Sequence, residues 1–148
     1  MRLFLDANVL FSAAHREAGS MRVFFRLADV GACELISSPY TIGEARRNIA
    51  RKYPKRSGDL ELLVARLAVC TEASAANVSW AAAQPLPAKD APILAAAVQA
   101  EANILATGDK TDFGHLFGRT LRGTEVLTPI AAIERIIAGD IGVGSDAR

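Results

Sequence analysis

The sequence predicts an α/β domain: a mostly parallel sheet of about five strands with helices on both faces. Short all-apolar runs such as Leu3-Phe4-Leu5 suit central strands buried on both sides. Between them lie stretches with apolar residues at helical spacing. The two kinds of segment alternate along the chain, which is the signature of strand-helix-strand units. With 148 residues, 51% of them hydrophobic, there is material for one core. The expected domain covers residues 1–140, followed by a flexible tail at 141–148.

Asp6 closes the first strand. Met21, Val23, Phe24, Leu27 and Val30 give a helix over about Ser20–Val30, which Gly31 ends, and Ala32–Ile36 reads as the second strand. Ser38-Pro39 opens the next helix, Ser38 as cap and Pro39 in the first position, and the pattern runs past Glu44 towards Tyr53. A helix from about Gly58 to Leu67 follows, with Ala68–Thr71 as a brief strand or the frayed helix end. Pro85–Lys89 is a loop, and Asp90 caps a helix through Ile93, Leu94, Ala97 and Val98 that ends near Asn103. Asn103–Thr107 is a strand, Gly108-Asp109 its exit turn, Val126-Leu127 the last strand, and Ile130–Ile137 the closing helix behind Pro129.

The balance of 17 basic and 16 acidic residues leaves a net charge of +1, so charge alone selects no partner. Cys33 and Cys70 lie far apart without a Cys-x-x-Cys pair and read as buried free thiols of a reducing compartment. With His15 and His115 as the only histidines, a tetrahedral zinc site lacks support. Asp6 interrupts the N-terminal apolar run too early for a secretory signal, and Gln99 and Glu101 end the run from Ile93 well short of the roughly 20 residues of a membrane span. The expected location is the cytoplasm, without a membrane partner.

Asp6, Glu44, Asp90 and Asp109 each sit where an apolar run meets a turn or a helix start. In a parallel sheet those positions face one edge, at the carboxyl ends of the strands, where ligands bind. Two carboxylates about 4 Å apart repel by roughly 4 kcal/mol at an effective dielectric near 20, so such a cluster calls for a cation. Each acid also has an ordinary reading. Asp6 or Asp90 could cap a helix, Thr41-x-x-Glu44 fits a capping box, and Asp109 suits a turn after Gly108.

Leu3-Phe4-Leu5-Asp6-Ala7-Asn8-Val9-Leu10 resembles the opening of a PIN domain, the nuclease domain common in bacterial toxin-antitoxin pairs. Ser38-Pro39-Tyr40-Thr41-Ile42-Gly43-Glu44 resembles the family's helix with its acidic Glu, and Lys89-Asp90-Ala91-Pro92-Ile93-Leu94-Ala95-Ala96-Ala97 its third acidic block. The most specific stretch is Asn103-Ile104-Leu105-Ala106-Thr107-Gly108-Asp109-Lys110-Thr111-Asp112-Phe113, which resembles the strand and turn with the fourth acid and an optional fifth. The resemblance reaches to about Thr128. It implies Asp6, Glu44, Asp90 and Asp109 as catalytic metal-binding acids and Asp112 as an outer ligand. Asn8 and Thr107 stand where the family orients an acid or a water, and turn or cap hydrogen bonding is their ordinary alternative.

All-oxygen ligands suit Mg²⁺ or Mn²⁺, and phosphodiester hydrolysis is the natural reaction. The resemblance implies RNA as substrate, an antitoxin partner and a homodimer. Residues 45–56 hold six basic side chains and no acid. Of these, Arg46, Arg47, Arg51 and Lys52, with Lys110 beside the fourth acid, are candidates to grip RNA phosphates, or they form a solvated helix face. Arg119 and Arg122 add to the positive charge there, while Trp80, Phe24 and Phe25 are expected in the core. The leading expectation is a metal-dependent endoribonuclease acting as a toxin. A PIN nuclease for RNA maturation without an antitoxin, or an RNA-binding scaffold whose acids no longer work, are the alternatives. A phosphatase of the haloacid dehalogenase type is disfavoured, because Asn8 stands where its second Asp belongs.

Overall fold

Leu3, Phe4 and Leu5 are fully buried because β1 (Arg2–Leu5) has strand neighbours on both sides and helices on both faces. The structure is a computed structural model that describes residues 1–146, with side chains as far as Gly139. Six strands form one sheet in the order β3-β2-β1-β4-β6-β5. β1 pairs in parallel with β2 (Glu34–Ser37), Phe4 opposite Ile36, and with β4 (Ile104–Ala106), Leu5 opposite Ala106. β3 (Ala68–Val69) extends the β2 side in parallel, and β6 (Thr124–Leu127) the β4 side. The strand beyond the expected five is β5 (Thr120–Leu121), which pairs antiparallel with β6 through a turn of Arg122 and Gly123, both at positive φ.

Side chains alternate across the sheet, as the two-residue strand period requires. Leu3, Leu5, Leu35, Ile104 and Ala106 face one core, packed on α1 (Ala7–His15), α2 (Val23–Asp29), α3 (Pro39–Lys52), α4 (Ser57–Val64) and α8 (Pro129–Asp146). Phe4, Ile36, Leu105 and Val126 face the other, packed on α6 (Ala91–Gln99) and α7 (Lys110–Phe113), with α5 (Ala75–Ala82) outside α6. Helices on both faces of a mostly parallel sheet match the expected class.

Several local features differ from the expectation. α1 is a helix additional to the expectation: Ala7, Val9, Leu10, Ala13 and Ala14 lie at helical spacing and bury one face of it. α5 is likewise additional, drawn onto α6 by a Ser74 cap and by Gln99, whose side-chain oxygen accepts from the Ser74 and Asn77 nitrogens. The helix before Gly31 begins as a 3-10 turn at Ser20–Arg22. α6 stops at Gln99 rather than near Asn103, because Glu101 takes a positive φ of 57°. α8 runs beyond the expected Ile130–Ile137, and the expected tail at 141–148 reaches beyond the described residues. Trp80 is half-buried at the edge of the second core, not inside it, with the Arg122 guanidinium 4.1 Å from its ring centroid. Cys33 is buried, Cys70 half-buried, and both are free.

Among the described residues no helix is long and apolar enough to cross a membrane.

Candidate active site

β1 and β4 lie side by side, yet the chain leaves them in opposite directions across the sheet, towards β2 in one case and β6 in the other. That is a topological switch point, and a crevice opens beyond the carboxyl ends of the two strands. Asp6 follows β1, and Thr107, Gly108 and Asp109 follow β4.

Asp6 is 3% exposed. One of its oxygens accepts from the Ala7 N–H at 2.7 Å, which caps α1, and the other accepts from the Thr107 hydroxyl at 2.7 Å and the Asn8 amide at 3.3 Å. The Thr107 oxygen in turn accepts from the Asp109 N–H at 3.1 Å, and the Asn8 carbonyl oxygen from the Gly108 N–H at 3.0 Å. Both supporting residues therefore hold the end of β1 and the turn after β4 together. Asp109 accepts from the Asp112 N–H at 3.0 Å, so it starts α7 as its cap while leaving an oxygen for the crevice.

Asp90, also 3% exposed, is not the side-chain cap that the sequence suggested. Its carboxylate lies beside those of Asp109 and Asp112, each offering an oxygen within 4.8 Å of the others. The capping-box reading of Glu44 also falls away. Ser38 caps α3 by accepting from the Thr41 N–H at 3.2 Å and meets the Thr41 hydroxyl at 2.9 Å, so Glu44 is not needed for capping. Glu44 lies in the second turn, half-buried, and its charge reaches both Asp6 and Tyr40.

Electrostatics report the crowding. Burial pushes the Asp6 carboxyl up from 3.8 to about 6; hydrogen bonds from Thr107 and Ala7 pull down, and the charges of Glu44 and Asp109 push up again. Burial also raises Asp90, helped by the adjacent Asp112. Asp112 moves the other way because the Lys89 ammonium hydrogen-bonds it.

Lys89 and Tyr40 are site residues that the sequence reading did not single out. The Lys89 ammonium is 3.0 Å from Asp90 and 2.8 Å from Asp112, and the Tyr40 hydroxyl donates to the Lys89 carbonyl at 2.6 Å. No sequence signal marks Tyr40. The one available hint for Lys89 is its place directly before Asp90.

The basic segment divides by helix face. Arg46 turns away from the crevice and forms a two-pronged pair with Glu61 on α4, at 2.9 and 2.8 Å. Arg51 bonds Asn48, and Lys52 sits 5.6 Å from the Phe11 ring centroid. Arg47 lies on the Tyr40 side, where its charge acts on the Tyr40 hydroxyl, and Lys110 is exposed beside Asp109. Arg122 is held at Trp80. His115 bonds the Gln84 carbonyl at 2.7 Å, in keeping with a surface role.

Oxygens within 4.8 Å of one another match two ligands across one ion with bonds of about 2.0–2.6 Å, so the donor set fits a hard divalent cation. Fold and crevice together define the class: residues 2–111 match the family model of the PIN domain, and the chain belongs to that family. No curated protein matches the chain significantly. Among solved structures, VapBC2 from Rickettsia felis, bound to a DNA fragment from its promoter, is 15% identical, with 86% of this chain and 98% of that one covered and a TM-score of 0.64. PAE2754 from Pyrobaculum aerophilum is 16% identical, with 93% and 96% covered and a TM-score of 0.66. VapC20 from Mycobacterium tuberculosis, a toxin that cleaves the sarcin-ricin loop, is 14% identical, with 74% and 91% covered and a TM-score of 0.51. At these identities the likeness is one of fold.

Proposed function

We propose that the protein is a divalent-metal-dependent endoribonuclease, the toxin of a two-protein module. The observation that carries this reading is the convergence of Asp90, Asp109 and Asp112 at the switch-point crevice of a PIN domain, with Asp6 joined to Asp109 through Thr107. Asp6, Glu44, Asp90 and Asp109 would hold Mg²⁺ or Mn²⁺, with Asp112 as an outer ligand. When bound, the ion supplies an activated water and charge stabilisation at the scissile phosphate. Thr107 and Asn8 fix the Asp6 carboxylate in one orientation, so the ligand geometry is set before substrate arrives. Of the basic residues proposed to grip RNA, Arg47 on the Tyr40 side and Lys110 beside Asp109 would meet phosphates at the crevice, whereas Arg46 is engaged with α4.

VapC20 as a cleaving toxin, and VapBC2 as a structure with promoter DNA, support the toxin role and an antitoxin partner for this chain; the homodimer is proposed from the family resemblance alone. The test is cleavage of purified RNA with Mg²⁺ or Mn²⁺. Asp6→Asn or Asp109→Asn is expected to lower the rate by at least about a hundredfold, as loss of a metal ligand should, while far-UV circular dichroism stays unchanged. Undiminished cleavage by a folded, contaminant-free double variant overturns the reading.

A further inference from the structure

We infer that Lys89 is the resident cation of the Asp90–Asp112 half of the site, so that the acidic cluster takes one divalent ion rather than a pair. This deepens the nuclease reading and rests on it. The ammonium bridges two carboxylates, 3.0 Å from Asp90 Oδ2 and 2.8 Å from Asp112 Oδ2. Both partners are fixed in place. The Asp90 side chain is 5% exposed, and Asp112 is anchored through its backbone N–H to Asp109.

The lysine is fixed as well. Its carbonyl accepts from the Tyr40 hydroxyl at 2.6 Å, which pins the backbone at Lys89 to α3, the helix that carries Glu44. This distinguishes it from a loose surface pair between two long side chains. An ammonium is compact and carries three N–H donors, so it offsets the charge of both carboxylates at once. Two donors are used on Asp90 and Asp112. The side chain remains 64% exposed, which leaves the third donor open to a phosphate oxygen at the mouth of the crevice.

A divalent ion between Asp90 and Asp112 would have to displace this positive charge. Asp109 belongs to both halves: its carboxylate offers an oxygen within 4.8 Å of Asp90 and Asp112, and its charge, with that of Glu44, acts on Asp6. One ion held by Asp6, Glu44 and Asp109 would leave Lys89 in place as a permanent second positive charge.

Equilibrium dialysis of the full chain against Mn²⁺ at neutral pH, without RNA, tests this directly. The wild type is expected to bind one ion per chain. Lys89→Met is expected to bind a second, or to bind the first at least about tenfold more tightly, while Lys89→Arg, which keeps a cation, stays at one. A wild type that binds two ions overturns the inference without any variant, and so does a folded Lys89→Met with unchanged stoichiometry and affinity. If neither protein binds Mn²⁺, the metal reading of the whole site fails and this inference with it.

Discussion

Thr107 uses one hydroxyl in two directions, donating to Asp6 and accepting from the Asp109 N–H, so a single buried oxygen sets the spacing of two acids. Thr107→Val keeps the volume but removes both bonds, leaving the part-buried Asp109 N–H and the buried Asp6 carboxylate short of a partner. The expected outcome is a fall of about 10- to 100-fold in Mn²⁺ affinity, with Thr107→Ser restoring most of it; a Val variant with wild-type affinity would assign Thr107 a packing role only. Much at this scale was legible in the sequence, because Asp6 and Asp109 break apolar runs and an acid in such a place is conspicuous. The roles of Lys89 and Tyr40 were not. They exist through contacts with Asp112, 23 positions on from Lys89, and with the Lys89 carbonyl, 49 positions on from Tyr40, and no local pattern encodes such pairs.

α3 positions Glu44 through its start rather than its middle. Ser38 satisfies the Thr41 N–H and Pro39 presets the first turn, so the helix begins at a defined residue and Glu44 emerges one turn later on the same side as Tyr40. Ser38→Ala is expected to cost about 1 kcal/mol in urea denaturation. It should also weaken Mn²⁺ binding by fraying the turn before Glu44, whereas unchanged affinity would mean that the packing of Ile42 and Ile49 alone holds the helix. Ser38-Pro39 announced this helix in sequence; α1 and α5 also have caps, Asp6 and Ser74, but without a proline behind them. α1 is short and follows β1 with Asp6 as the one residue between them, so its stripe of Ala7, Val9, Leu10, Ala13 and Ala14 reads as part of the same apolar run. α5 is also short, with Ala81 its only fully buried residue. β5, two residues long, is a strand by virtue of its partner β6, a relation that sequence patterns do not carry.

For the whole molecule, the acidic crevice sets stability against function. Asp6 has a folded pKa of about 6 against 3.8, so the folded state binds its proton more readily than the unfolded state. Below pH 4 the group is neutral in both states and costs nothing. As pH rises from about 4 through 6 the folded chain loses that advantage, and above 6 the full penalty, about 3 kcal/mol, is present. In EDTA, Asp6→Asn should therefore melt higher than wild type at about pH 7.5 and close to it at about pH 4; parallel pH profiles for the two proteins would show that Asp6 carries no such penalty. The alternation of strands and helices made the parallel sheet legible, whereas strand order was not, since it depends on which strands meet in space.

The Asp6–Thr107 bond joins residues 101 positions apart, each directly after one of two adjacent strands. A ribosome making this protein releases Asp6 and Glu44 long before the segment that completes their site. Domains fold as units, and parallel pairings between distant segments close late. The nascent chain therefore has no finished crevice until β4 and its following turn have emerged, and a chain that stops short of them carries Asp6 and Glu44 without their partners.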